Sequence, residues 1–440
     1  MTTCTFRGGV HPDDGKSLSK NKAIQKYVPK GELVFPLSQH IGAPAVPVVE
    51  VGERVLAGQL IAKANGFVSA NIHASVSGTV LKIEPRDTVN GQKEMAIVIE
   101  NDMQDATMEF QPVDLTKGDC KQKIRDAIFQ AGIVGMGGAC FPTHVKATPK
   151  NEEAIEYIIV NGAECEPYLT SDYRRMLEEP EAVIGGLKFM LKVFEHAKGI
   201  IAIEDNKKDV IRNMKKLTEK EERIEVKKLR TKYPQGAERQ LIYATTARKI
   251  NSSMLPADAG CIVDNVDTIH AIYKAVQFGE PLTKRIVTVT GDAIKDPKNF
   301  LVPLGTNYQE LIEAAGGFIK QPEKVISGGP MMGKALIQLN VPVVKGSSAI
   351  HCMLKDMVSA SEQTNCINCG KCVEVCPGRV APSRLAKAAA KGDRETFLNL
   401  HGMECCECGC CSFICPAKRN LTQTIAAMRK DILAERKKKS

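Results

Sequence analysis

Cys366, Cys369, Cys372 and Cys376 are spaced C-x2-C-x2-C-x3-C and followed by Pro377; Cys405, Cys408, Cys411 and Cys415 repeat the spacing and are followed by Pro416. Three thiolates three residues apart wrap a loop around one face of a cubane, and the fourth lies too far along the chain to close the same cube easily. In two-cluster ferredoxins the fourth crosses to the other cluster. The expectation is therefore one [4Fe–4S] centre on Cys366, Cys369, Cys372 and Cys415, and a second on Cys405, Cys408, Cys411 and Cys376. Structural zinc also uses four thiolates, but usually as two C-x2-C pairs across a longer loop; a triplet plus one before proline, written twice, is the iron–sulfur pattern. Cys406 and Cys410 fall outside it and read as bystanders. Such chemistry moves single electrons, so the rest of the chain must supply or receive them.

A second chemical signal is Gly132-Ile133-Val134-Gly135-Met136-Gly137-Gly138-Ala139-Cys140-Phe141-Pro142-Thr143-His144-Val145-Lys146. Four glycines in seven residues let the backbone take φ > 0 and bring its N–H groups against a nucleotide phosphate and ring. Lys146 then offers a point charge to the phosphate. The loop follows a helix rather than a strand, so it does not meet the context of the usual dinucleotide fingerprint. Its company strengthens it. Asn161-Gly162-Ala163-Glu164-Cys165-Glu166-Pro167 follows a strand ending at Val160, the strand end where α/β folds place ligands. Tyr233-Pro234-Gln235-Gly236-Ala237-Glu238 and Asp264-Asn265-Val266-Asp267-Thr268 each open a helix with polar side chains and free N–H groups. Four such loops on one sheet make a single pocket. Glu164 and Glu166 are its candidate reactive acids, set against the reading of a solvated acidic loop. Cys140 and Cys165 read as small packed thiols, and His144 and His351 as structural.

The elements that must position these groups read as follows. At 440 residues, with 43% hydrophobic and 25% charged residues, the chain is an ordinary globular protein of two to four domains. Its start lacks the apolar core of a signal peptide, and no stretch is apolar enough to span a bilayer, which implies a cytoplasmic chain whose sixteen cysteines are ligands and free thiols. The net charge of +9 is spread out except at Arg436, Lys437, Lys438 and Lys439, which suit anionic lipid, an acidic partner or a solvated helix end. Few aromatics and no Trp leave little for stacking on bases, so nucleic acid is excluded as a partner. Residues 1–30 read as an extended lead-in. Short β-prone runs at 46–51, 55–62, 76–84 and 95–100 follow, two of them similar to the halves of a biotinyl or lipoyl carrier domain, but the intervening 65–72 holds no lysine. Helices and strands alternate from 121 to about 280, the pattern of a largely parallel sheet. A small unit from 285 reads as β-grasp, and from 361 onward the chain is cysteine loops and helices.

The four loops together resemble those of the NADH-binding flavoprotein subunit of respiratory complex I, with its G-x-G-G-A-x-F-P-T, N-x-x-E-x-E-P, Y-x-x-G-x-E and N-V-[ED]-T stretches. The wording from Asn161 to Asp172, with Gly8-Gly9-Val10-His11-Pro12 and the double cysteine motif, resembles more closely the C subunits of Rnf complexes, ion-translocating ferredoxin:NAD+ oxidoreductases. The resemblance implies that Gly135, Gly137, Gly138, Ala139 and Lys146 surround FMN and its phosphate, with Asn161, Asn265 and Thr268 also on the flavin. Phe141, Glu164, Glu166, Tyr233, Gly236 and Glu238 would line the nicotinamide side. Ala163 stands where the complex I family has an acid, and Cys140 where it usually has glycine. The implied fold is α/β multidomain: a barrel-sandwich β domain at 31–110, a Rossmann-like FMN/NADH-binding α/β domain at 111–284, a small β-grasp (SLBB-type) domain at 285–345 and an α-helical two-[4Fe–4S] ferredoxin domain at 346–440. The implied activity is hydride exchange between NAD(H) and FMN, then one-electron transfer through two [4Fe–4S] clusters to or from the other subunits of a membrane redox complex. Ferredoxin would be reached through those subunits, and the chain would lie on the inner face of the cell membrane. The alternatives are a flavin-dependent cobalamin reductase of similar domain make-up and a non-enzymatic iron–sulfur scaffold.

Overall fold

The computed structural model describes residues 3–439, with side chains as far as Arg436; the side chains of Lys437, Lys438 and Lys439 in the expected basic tail lie outside the described residues. At the centre is a four-stranded, wholly parallel sheet of β1 (Tyr157–Gly162), β2 (Lys198–Glu204), β3 (Ile224–Leu229) and β4 (Cys261–Asn265), in the order β3-β2-β1-β4. Ile158, Ile159 and Val160 of β1 and Ile200 to Ile203 of β2 are buried on both faces, the apolar run that a covered parallel sheet requires. Helix Pro180–Val193 opens on a proline whose missing N–H costs nothing at a first turn, and buries Val183, Leu187 and Met190 at helical spacing. Helix Val266–Phe278 lies against it so closely that a Cβ on Gly186 would stand 2.0 Å from the Ile269 carbonyl oxygen. The chain runs β1 to β2 to β3 in one direction and then returns to lay β4 on the other side of β1. That reversal opens a crevice between the carboxyl ends of β1 and β4, where doubly wound folds bind ligands.

The N-terminal β unit is smaller in its strands than the β-prone runs suggest. Only Val46–Pro47, Arg54–Val55 and Leu60–Lys63 are strand in the stretch 46–63, because the Glu53 N–H donates to the Glu50 carbonyl and Gly52 and Gly58 take positive φ, turning the chain between them. Longer strands Glu32–Pro36, Gly78–Asp87 and Lys93–Asn101 make its main antiparallel sheet.

A six-stranded sheet contains Lys284–Thr290, Lys298–Pro303, Lys324–Ser327 and Lys334–Ala335, together with Gln25–Lys26 at one edge and Ala349–Met353 near its middle. Ala349–Met353 pairs with both Lys284–Thr290 and Lys324–Ser327. The sheet therefore crosses the division expected at 345, since its middle is completed by a strand taken from the far side. It also shares one hydrophobic core with the N-terminal β unit, where Leu33, Phe35, Ile97 and Ile99 pack with Val287, Val289, Phe300 and Leu311. The cysteine-bearing segment folds around a core of its own, Leu385, Phe397, Leu421 and Ile425, on helices Pro382–Ala390, Arg394–Asn399 and Leu421–Lys439.

Candidate functional site

The glycine-rich stretch leaves helix Cys120–Gln130, capped by Asp119, and doubles back on itself. Gly135 N donates to the Phe141 carbonyl at 2.8 Å and Thr143 N to the Ile133 carbonyl at 3.0 Å, which leaves Gly137, Gly138 and Ala139 as an exposed tip. Two residues pin this tip to the crevice. Met136 N donates to Thr268 Oγ1 at 2.8 Å, and Gly137, at φ 77°, lies so close to Asn265 that a Cβ would be 2.9 Å from its Nδ2. At Gly138 the position of a Cβ faces nothing within 4 Å. The cradle is therefore bare on its open side, as a flat ring with a phosphate needs. Lys146 Nζ reaches the crevice from below, donating to the Val263 carbonyl at 2.8 Å and to Asp264 Oδ1 at 3.1 Å. Its charge is balanced by a fully buried carboxylate.

The opposite wall is tied together by its own polar atoms. Asn161 Nδ2 donates to the Gly236 carbonyl at 2.9 Å, and Gly236 N donates to Cys165 Sγ at 3.2 Å. Glu164 sits at φ 49° with its side chain buried. Its Oε1 accepts the Asp172 N–H at 2.7 Å, while Oε2 has no hydrogen-bond partner and stands 3.8 Å from Lys16 Nζ; burial pushes its carboxyl above the usual range. Glu166 faces elsewhere: its two oxygens accept the N–H groups of Met331 at 3.1 Å and Met332 at 2.8 Å, binding this loop to the six-stranded sheet's Gly329–Met332 turn. Neither acid is solvated. Tyr233 is buried and its hydroxyl has no hydrogen-bond partner, Phe141 is half-buried, and Glu238 is exposed in the first turn of helix Glu238–Thr246. Burial pushes the Cys165 thiol up to about 12 and raises that of Cys140, as packed thiols would have. His144 Nε2 donates to the Phe67 carbonyl at 2.9 Å, and His351 is buried against the Tyr168 ring.

Sequence reasoning passed over the charged layer beneath the crevice. Asn265 Nδ2 donates to Asp172 Oδ2 at 2.7 Å, and Asp267 accepts from Arg175 Nε at 2.7 Å and from Arg285. The available signal was the Asn265-x-Asp267 helix start, whose cap bond, Asp267 N to Asn265 Oδ1, is 2.8 Å. Burial, with Glu164 and Asp267 nearby, pushes the Asp172 carboxyl up to about 7. A carboxyl whose folded pKa is raised keeps its proton at pH values where the unfolded chain has released it. It therefore subtracts increasing stability as pH rises from about 4 to about 7. Asp172→Asn should gain stability relative to the parent across that window, read as a difference in urea midpoint at the two ends; a difference independent of pH would refute the assignment.

The cysteines divide among three places. Cys366, Cys369, Cys372 and Cys415 line one cavity of about 100 Å³, which brings the fourth thiol of the second motif to the first triplet. Cys376 lies close to Cys405 and Cys411, and Cys411 is also close to Cys372. Cys408 is buried beside Cys406, Cys410 and Tyr233. Among the described residues no three His, Cys, Asp or Glu side chains converge on a single ion. A cubane asks for something different, thiols spread around a cavity with one to each iron, and the first group has that form. Cys366 and Cys369 are exposed, whereas Cys408 and Cys411 are buried.

Family models match three stretches of the chain. Residues 4–104 match the RnfC barrel sandwich hybrid domain, 128–274 the Nuo51 FMN-binding domain, and 286–335 the SLBB domain. The chain is 47% identical over 383 residues to the C subunit of the proton-translocating ferredoxin:NAD+ oxidoreductase complex of Clostridium ljungdahlii, covering 87% of this chain and 84% of that one. It is 42% identical over 435 residues to the C subunit of the Na+-translocating ferredoxin:NAD+ oxidoreductase complex of Acetobacterium woodii, covering 99% and 98%. Among solved structures, an air-oxidized NAD+-reducing [NiFe]-hydrogenase chain shares the fold at TM-score 0.50 and 20% identity, over 64% of this chain and 54% of that one. The chain belongs to the family of C subunits of ion-translocating ferredoxin:NAD+ oxidoreductase complexes.

Proposed function

We propose that this chain is the NAD(H)-linked electron-transfer subunit of a membrane-bound, ion-translocating ferredoxin:NAD+ oxidoreductase, with FMN in the crevice between β1 and β4 and two [4Fe–4S] clusters on the cysteine motifs. The observation that carries the reading is the pinning of the bare glycine tip to Asn265 and Thr268 at the strand-order reversal. FMN bound there supplies the conversion between hydride transfer and single-electron transfer, and the clusters carry the single electrons.

The chain's own residues bind and orient. Gly135, Gly137, Gly138 and Ala139 present backbone N–H groups, and Lys146 holds a positive charge against the phosphate. Asn161, Asn265 and Thr268 hold the loops that face the ring. Glu164, held by the Asp172 N–H and facing the Lys16 ammonium, fixes the loop at the crevice, and Phe141, Tyr233, Gly236 and Glu238 form the nicotinamide side. Glu166, with both oxygens engaged by Met331 and Met332, acts by positioning the loop. Among the described residues no helix is long and apolar enough to cross a membrane, which suits a peripheral subunit on the inner face whose electrons pass to or from ferredoxin through partner subunits.

The test is anaerobic reconstitution with FMN, iron and sulfide. Retained FMN and NADH-dependent bleaching of flavin and cluster absorbance are expected, together with co-purification with integral membrane subunits. A protein that retains no FMN refutes the reading. Gly137→Val places a β-branched residue at positive φ against Asn265, a strain of about 1–3 kcal/mol, so FMN affinity should fall about tenfold to a hundredfold in a fluorescence titration.

A further inference from the structure

The stretch around Gly8-Gly9-Val10-His11-Pro12 has no part in the crevice, yet it threads between the flavin-type unit and the cysteine-bearing unit. Towards the sheet, Cys4 N donates to the Lys228 carbonyl at 2.8 Å and Arg230 N returns a bond to the Cys4 carbonyl at 2.9 Å. Val10 and Tyr233 exchange both backbone hydrogen bonds, at 2.8 and 2.9 Å. Towards the cysteines, Gly9 N donates at 2.8 Å to the carbonyl of Val375, the residue before Cys376. The two glycines are demanded by this double contact. At Gly8, φ 92°, a Cβ would be 3.0 Å from the Val375 carbonyl oxygen; at Gly9, φ 84°, it would be 2.7 Å from that of Tyr233. Lys232 closes the turn, its Nζ 3.9 Å from the centre of the Phe6 ring and 2.9 Å from the Gly8 carbonyl oxygen. Further along, Tyr168 N donates to the Asp14 carbonyl at 2.6 Å, and the buried Lys16 Nζ donates to the Glu166 carbonyl at 3.0 Å and to that of Leu169, beside Glu164.

We propose that residues 4–16 form a strap that sets the separation between the flavin loops and the cluster to which Cys376 contributes, making Gly8, Gly9 and Lys16 positioning residues for the electron transfer between them. The proposal rests on the functional reading above. Other ties between the units run mainly through side chains. Glu404 accepts from Arg239 at 3.0 Å and from Ser252 N and Oγ at 3.0 and 2.6 Å, a part-exposed ion pair of this kind being worth about 0–1 kcal/mol; Tyr233 packs with Cys408 and Cys410, and Cys410 Sγ makes a long contact, 3.8 Å, with the Tyr233 carbonyl. Long side chains swing on rotamers, whereas backbone bonds from one continuous segment to both units fix a distance. The strap also touches the loop bearing Glu164 and Glu166, so one element holds both ends of the electron path.

The test uses the full reconstituted chain as Gly9→Ala and, as the milder insertion, Gly8→Ala. Gly31→Ala is the control, since Gly31 also has positive φ, 79°, but nothing within 4 Å of its Cβ position. Amide hydrogen exchange is read at 229–236 and 373–379, and stopped-flow absorbance follows NADH-dependent bleaching of flavin and clusters separately. In both strap variants exchange should rise about tenfold in the two segments, and cluster reduction should slow about tenfold with flavin bleaching unchanged. The control should alter neither. Exchange equal to that of the control, or flavin and cluster bleaching that slow together, overturns the strap. Absence of NADH-dependent bleaching in the unmutated chain would instead refute the functional reading, while the exchange arm still reports on the strap.

Discussion

Cys376→Ala should abolish the cluster whose other ligands are Cys405, Cys408 and Cys411 and spare the one on Cys366, Cys369 and Cys372. The reason is the crossed arrangement we propose: Cys415 shares a cavity with the first triplet, and Cys376 lies close to Cys405 and Cys411. With two [4Fe–4S] clusters, bound iron should fall by about half, and one of two reduced-cluster EPR signals should vanish. Cys415→Ala should remove the complementary signal. Cys406→Ala and Cys410→Ala should keep their iron, because neither thiol lies in the repeated spacing. If Cys376→Ala loses the signal that Cys366→Ala also loses, ligation is uncrossed.

Asp267→Ala should destabilise the fold by about 3–5 kcal/mol, the usual cost of removing one partner from a buried ion pair. Asp267 is 5% exposed and bridges Arg175, 5% exposed, and Arg285, 2% exposed; its removal takes away the carboxylate that both guanidiniums share. Arg175 keeps Glu179, which also holds His270 at 2.8 Å, so Arg285 bears the larger part of the loss. Because Arg285 belongs to strand Lys284–Thr290 and Asp267 to the helix after β4, the loss should loosen the six-stranded sheet from the crevice. Burial alone would raise the Asp267 carboxyl, but the two guanidiniums prevail and hold it at about 2. An acid depressed in the folded state contributes stability above its unfolded pKa of about 4, lost as pH falls towards about 2. The deficit of Asp267→Ala in urea midpoint should therefore shrink in acid, and Asp267→Asn should fall between the two. A deficit under about 1 kcal/mol at neutral pH would show that the layer is not under electrostatic load.

Much of the site was legible in the chain because it is written locally. Cysteine spacing dictates which thiols can face one cube, glycines mark where a backbone must lie bare, and Asn265 before Val266-Asp267-Thr268 announces a helix start. Alternation of strands and helices between 121 and 280 already implied the parallel sheet. Other matters depend on partners far away in sequence. Glu164 and Glu166 look alike in Glu164-Cys165-Glu166, yet one is buried at the crevice and the other is taken by Met331 and Met332, a difference that arises only when the six-stranded sheet docks. Ala349–Met353 carries no mark of the sheet it completes, since strand pairing over such separations leaves no local period.

The sequence by itself determined the chemistry: eight thiols in a doubled iron–sulfur spacing and four loops fit for a nucleotide, because ligand type and reach are properties of short stretches. The tertiary structure alone decided which acid stays beside the crevice and how residues 4–16 fasten the two units. Those outcomes follow from burial and pairing between distant segments, where a carbonyl such as that of Val375 finds its N–H donor hundreds of residues away at Gly9.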